Sequence, residues 1–233
     1  MNKKVRIIME LTAAAQWLNT AFSGFDYSIL EFYHTIALKA NFIVEPVMDF
    51  FSLIGDNGYF GFLLAFILML FKKTRKIGVC IVFSIGFGAL ITNITLKEVI
   101  ARPRPFQSGV EDFLLWWQYT GSSEVSEFSF PSGHVTAAMA SMTGLCLSVS
   151  KKWKWLIAPS VAYVIIMMAA RNYLMVHYPT DVIAGVLVGT VGAVAAFFTV
   201  KGIFALLEKY SDKKLIDFAL NFDIKDLFAK KTG

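Results

Sequence analysis

Apolar residues along this chain come in long, nearly unbroken stretches. Five of them, at about residues 59–71, 77–96, 135–149, 155–170 and 182–204, meet or approach the roughly 20 apolar residues that a membrane-spanning helix needs. Several are short of a full span, so their ends are expected to draw on flanking polar residues. Their alternation with charged loops supports the assignment as much as their length does. The expected fold is all-α, a polytopic transmembrane helix bundle.

Lysine and arginine gather at three places. Lys72, Lys73, Arg75 and Lys76 follow the first stretch, and Lys151, Lys152 and Lys154 follow the third. Lys201, Lys209, Lys213 and Lys214 close the fifth. Short loops rich in these residues stay on the cytoplasmic side of a membrane. All three predict one orientation, with the loop at residues 98–132 and the short one at 172–179 on the outer face.

The amino-terminal region is patterned differently. Residues 5–22 and 25–38 are amphipathic rather than uniformly apolar, as helices lying in the membrane interface are, and 42–54 is a third candidate. If all lie flat the bundle has five spans; if residues 6–25 cross, it has six. Five is the expectation. Lys3, Lys4 and Arg6 resemble a signal-peptide start, but Glu10, Gln16 and Asn19 interrupt the apolar core such a peptide requires, so the segment is expected to be retained. After Glu208, the apolar residues Leu215, Phe218, Ala219 and Phe222 are flanked by lysines, the pattern of a surface amphipathic helix. The chain thus divides into interfacial helices (1–54), a transmembrane core (55–207) and a cytoplasmic tail (208–233).

Composition agrees with a chain partly solvated by lipid: 56% apolar and 17% charged, against about 45–50% and 25% in soluble proteins. The net charge of +5 is modest. No basic run is interleaved with aromatics, which argues against a nucleic-acid partner. Cys80 and Cys146 both sit in apolar stretches and read as small buried residues, not a disulfide.

Three short segments place scarce polar groups at the mouths of apolar helices, all on the face opposite the lysine loops. They are Lys97 through Arg104 and Pro105, then Pro131-Ser132-Gly133-His134, then Arg171 through His177 to Asp181. Each has a plain reading alone. A terminal Lys or Arg snorkels to the headgroups, Ser132 caps a helix, and His177 and Asp181 form a satisfied polar pair. Together they say more, because two of the three histidines in the chain fall inside these segments.

The chemistry that suits them is phosphate. Lys97, Arg104 and Arg171 supply three cationic groups, and guanidinium forks match phosphate oxygens. With Ser132 as cap, the backbone N–H groups of Gly133 and His134 would point outward at the positive end of a helix dipole, and Gly133 lets an anion come close. Pro179 is placed for the first turn of the last span, which brings Asp181 near enough to orient His177. His177 is then the candidate nucleophile and His134 the candidate acid and base.

This set resembles the type 2 phosphatidic acid phosphatase superfamily, whose motifs are K-x6-R-P, P-S-G-H and S-R-x5-H-x3-D. Lys97, Arg104 and Pro105 match the first, Pro131 to His134 the second, and Arg171, His177 and Asp181 the third; Ala170 stands where the family usually has Ser. The resemblance covers roughly residues 55–205. It implies an all-helical fold, catalysis by His177, His134 and Asp181, phosphate binding by Lys97, Arg104, Ser132, Gly133 and Arg171, and no metal or other cofactor. It also implies a lipid phosphate as substrate, with the active site on the extracytoplasmic face of the cell membrane.

A metal hydrolase built on His134, His177 and Asp181 is disfavoured by the surrounding cations and by the absence of ligand spacing among nearby acids. A vanadate-dependent haloperoxidase shares such motifs in a soluble chain. A non-catalytic lipid-binding protein would relax the motifs, and a phosphotransferase would differ only in its acceptor. Within the family the compact chain looks most like the undecaprenyl-diphosphate phosphatases, with phosphatidylglycerophosphate and phosphatidic acid as further candidate substrates. Trp116 and Trp117, in the outer loop, are expected in an interfacial aromatic belt or a lid.

Overall fold

The computed structural model describes residues 11–229, which contain helices and no strand. A first helix, α1 (Ala13–Ala21), begins at Thr12, whose hydroxyl accepts from the Ala15 amide at 3.1 Å. It leads into α2 (Ser23–Gly55), one helix of 33 residues where the sequence suggested two. The expected break falls as a bend, not a stop: Ala40 leaves helical angles (φ −145°, ψ 24°), and Pro46, which has no N–H to donate, lies inside the helix. Residues 5–10 of the first expected amphipathic segment lie outside the described residues.

A tight turn at Asp56–Gly58, with Asn57 at φ 48° and Gly58 at φ 74°, leads into α3 (Tyr59–Met69). The segments expected to lie apart as interfacial helices are therefore continuous with the first expected span, and α2 packs along α8 (Ile157–Tyr173). Four helical stretches are long and apolar enough to cross a membrane: Ser23–Met69, Arg75–Gln107, Lys151–Tyr173 and Pro179–Lys209. The last three contain the expected spans at 77–96, 155–170 and 182–204.

The second of these starts as α4 (Arg75–Ala89), passes through a π-helical segment (Leu90–Leu96) and ends in a final turn, α5 (Lys97–Ile100). A π segment shifts the side-chain register and is common near functional sites; here it directly precedes Lys97. A short helix in the following loop is α6 (Glu111–Tyr119).

At the centre stands α7 (Gly133–Ser148), 16 residues long and packed against α4, α8 and α9 (Pro179–Lys209). Ile81, Val135, Met142, Val164 and Val182 form the core between them. The α7–α9 contact depends on glycine. A Cβ at Gly189 would lie 2.6 Å from the Thr136 carbonyl oxygen, and one at Gly185 would lie 2.9 Å from that of Ser132. Small residues let helix backbones approach this closely in membrane bundles. The tail forms α10 (Lys214–Asn221) and α11 (Ile224–Ala229). Arg75 ties it to the α3–α4 turn by donating to the carbonyls of Ala219 (2.9 Å) and Leu220 (3.1 Å), leaving Leu215 and Phe218 exposed.

Candidate active site

The site lies at one end of the bundle, where α5 and α8 finish and α7 and α9 begin. Around a cavity of about 360 Å³ stand Lys97, Arg104, Gly133, His134, Arg171 and His177. The three motif segments, up to 80 positions apart in the chain, thus meet in one polar recess. Three non-glycine residues with positive φ stand at or beside it: Asn57 (φ 48°), which lines it, Ala101 (φ 50°), which turns the chain out of α5 toward Arg104, and Met175 (φ 55°), just before His177. Such conformations are costly and tend to persist where a site requires them.

His177 is 1% exposed. Its Nε2 lies 3.2 Å from Arg104 Nη1 at the cavity, and its Nδ1 lies 3.6 Å from Asp181 Oδ2 on the far side. Burial holds its pKa well below the ordinary value, and the charges of Arg104, Arg171 and Lys97 push it the same way. Both effects favour the neutral ring, whose Nε2 faces the Arg104 guanidinium.

Asp181 is fully buried and does not line the cavity. It occupies the third position of α9, where its Oδ2 accepts from the Tyr178 amide (2.9 Å), and Pro179 opens the helix as expected. Arg104 also donates from Nε to the Glu127 carbonyl and from Nη1 to that of Val176, both at 2.8 Å. Arg171 donates to the Ser52 hydroxyl from Nη1, while its Nε has no partner among the described residues.

The other histidine is held more loosely. His134 is 20% exposed, and its Nε2 lies 3.5 Å from Asp56 Oδ1 in the α2–α3 turn. Lys97 is bound by Glu127, whose pKa this contact lowers. Ser132 stands at the N-cap of α7 with extended backbone, yet its hydroxyl makes no capping bond and is buried without a partner among the described residues. It lies behind the cavity, its amide donating to the Asp181 carbonyl at 3.0 Å.

Four further residues enter that the motifs did not single out: Asp56, Glu127, Asp26 and Arg102. Arg102 sits between Ala101 and Pro103 and is 1% exposed; it pairs with Asp181 at 2.7 Å and with Asp26, on α2, at 2.8 Å. The available signal was weak: Asp26 is one of four acids along α2, and only the rule that charge inside a membrane segment is rarely idle points to it. Trp116 also differs from expectation. It turns inward with Leu30, Phe113, Met175 and Tyr178, bracing the loop that carries His177, and Trp117 stacks on Phe106 at 4.5 Å.

A model of the family described as the PAP2 superfamily matches residues 77–204. The chain belongs to the PAP2 superfamily. Among its relatives, an undecaprenyl-diphosphatase of Sulfolobus acidocaldarius is 33% identical over 53% of this chain and 55% of its own length, so the chain spans about half of that relative. A lipid A 4'-phosphatase of Porphyromonas gingivalis is 31% identical over 70% of each chain. The crystal structure of a transmembrane PAP2-type phosphatidylglycerolphosphate phosphatase from Bacillus subtilis superposes with a TM-score of 0.60 at 24% identity, covering 82% of this chain and 90% of that one, and so shares the fold. The PAP2 match contains every motif residue from Lys97 to Asp181; Asp26 and Asp56 lie outside it.

Proposed function

We propose that this PAP2 chain is a metal-independent lipid phosphatase acting through a phosphohistidine. The observation that carries this reading is the convergence of a buried His177 with Arg104, Arg171 and Lys97 on one cavity. Nε2 of His177 attacks phosphorus, forming an N–P bond as the bond to the leaving oxygen breaks. Before phosphate binds, burial and the charge of Arg171 hold the His134 pKa down to about 2, so it takes up its proton with the phosphate, whose negative charge offsets the cations. It gives that proton to the leaving oxygen, then takes one from the water that displaces His177 and frees phosphate. Asp181 faces Nδ1–H and stabilises the positive charge developing on the ring. Lys97, Arg104, Arg171 and the amide end of α7 at Gly133 balance charge on the equatorial oxygens, the task a metal performs elsewhere. Among the described residues no group of three His, Cys, Asp or Glu is placed to hold one.

The substrate is a lipid phosphomonoester or diphosphate. Undecaprenyl diphosphate is favoured by the relative from S. acidocaldarius, with phosphatidylglycerophosphate and phosphatidic acid behind it. A five-span bundle, counting α3 and α7 as separate crossings, would put the site at the outer leaflet, since Lys72, Lys151 and their neighbours lie at the opposite helix ends. The test is phosphate release from these lipids in vesicles, with EDTA, with vanadate and with candidate acceptor lipids. We expect release that EDTA leaves unchanged and vanadate inhibits. Loss in EDTA restored by a divalent ion would refute the metal-free mechanism. Phosphate appearing on an acceptor instead of in water would make the chain a phosphotransferase.

A further inference from the structure

Every nitrogen of the Arg102 guanidinium has a partner. Nη1 donates to Asp181 Oδ1 and to the Thr180 hydroxyl, both at 2.7 Å; Nη2 donates to Asp26 Oδ2 and Nε to Asn19 Oδ1, both at 2.8 Å. The group also lies over the Tyr178 ring, 3.7 Å from its centroid. Asp26 accepts in addition from the Thr180 amide (3.0 Å) and hydroxyl (2.8 Å). Both carboxylates act only as acceptors here, as ionised groups do. A buried ion cluster contributes little net stability once desolvation is counted, so its presence directly behind the site calls for another explanation.

We propose that Arg102 and Asp26 are positioning residues for phosphoryl transfer: Arg102 pins one oxygen of Asp181 so that the other faces His177, and Asp26 pins Arg102. The inference rests on His177 being the nucleophile. Its geometry follows from the two ends of one carboxylate. Oδ2 is fixed by the Tyr178 amide and faces His177 Nδ1, while Oδ1 is fixed by Arg102, so rotation about Cβ–Cγ would break one bond or the other.

Charge gives Asp26 its part. Arg102 alone would cancel the negative charge of Asp181, leaving nothing behind His177 to balance the cation that forms on its ring. With Asp26 the cluster carries a net charge of about −1, counting each group as ionised. The amino-terminal helix α2, outside the matched family region, thereby becomes part of the catalytic apparatus.

The test is a kinetic cycle on the purified full-length protein in detergent, with one lipid phosphate substrate and thermal unfolding followed in parallel. Asp26→Asn should lower kcat about tenfold and leave KM within about twofold, because the group acts on the orienting carboxylate and not on substrate. Asp26→Glu should recover most of that loss. In an Asp181→Asn background, Asp26→Asn should cost less than about twofold more, since two changes on one line of action do not multiply.

Unchanged kcat in Asp26→Asn, or a full additional loss in the double variant, would overturn the proposal. So would a loss that tracks only the fraction of folded protein. Should Asp26→Asn not be recoverable folded, Arg102→Lys takes its place in the cycle with the same outcomes expected. His177→Ala in the same assay separates the two ideas. Activity retained there sinks the nucleophile assignment itself, whereas an inactive His177→Ala beside a wild-type Asp26→Asn sinks only the positioning role.

Discussion

The two histidines of the site live in different surroundings. His177 is sealed under α9, 1% exposed, with Asp181 behind it and a buried ion cluster behind that. His134 opens onto the cavity, 20% exposed, and its nearest acid is a half-exposed Asp56 at 3.5 Å. The difference matches two kinds of work. A nucleophile needs one fixed angle and a dry lone pair, which immobile ion pairs provide. A group that hands a proton to a departing oxygen and later takes one from water needs access to both, so a rigid enclosure would hinder it. The cations divide along the same line: Arg104 is locked by two backbone carbonyls beside His177, while Lys97 is held by the exposed side chain of Glu127.

The largest effect expected from breaking this contrast is on the sealed side. His177→Ala should reduce kcat by roughly 10³-fold or more, leaving only catalysis from the bound cations. Purified protein assayed beside a size-exclusion profile measures it, and more than a few per cent of residual activity would remove His177 from its role. The burial of this ring also sets a pH dependence. Protonation at Nε2 abolishes the nucleophile, so activity falls as pH falls through the His177 pKa, and that pKa is depressed. The acid limb of kcat/KM, where His177 gains its proton, should therefore lie below pH of about 6.5, the ordinary histidine value.

On the open side the loss should depend on the substrate. His134→Ala should cost about 10²–10⁴-fold with a lipid phosphate, whose alkoxide leaves poorly without a proton. With an aryl phosphate such as p-nitrophenyl phosphate, whose leaving group needs no proton, the loss should shrink to about tenfold or less. An equal loss with both substrates would mean that His134 binds phosphate instead of protonating the leaving group.

The same contrast explains what could be seen in the sequence. The groups that line the cavity were legible: Lys97, Arg104, Gly133, His134, Arg171 and His177 stand in short motifs at helix ends, and lysine placement alone puts those ends on one face. Local spacing also encoded Pro179 and Asp181. The supports of the sealed side were not legible, because Asp26 and Arg102 meet across a separation of 76 residues and no local pattern records such a pair. The fold shows a similar limit. Apolar runs located the helices, but the union of residues 25–38 and 42–54 into α2 depends on packing against α8. Likewise the inward turn of Trp116 depends on Leu30 and Tyr178 being there to receive it.

The smallest effect, and the one that sharpens the contrast most, concerns Glu127. Its carboxylate occupies the Lys97 ammonium that a phosphate oxygen would claim, and with a side chain 65% exposed it can swing away at small cost. An ion pair exposed on one side contributes about 0.2–1 kcal/mol. Substrate that must displace it loses that much affinity, which corresponds to no more than about fivefold in KM. Glu127→Gln should therefore lower KM by about two- to fivefold and leave kcat within about twofold, because the competing charge is removed while Lys97 itself stays. Initial rates against lipid phosphate concentration at low ionic strength measure it. The gain should fade as salt is raised, since salt weakens the exposed pair in the parent protein. A fall in kcat comparable to that of His134→Ala would show instead that Glu127 serves the chemistry, and that the open side is organised as firmly as the sealed one.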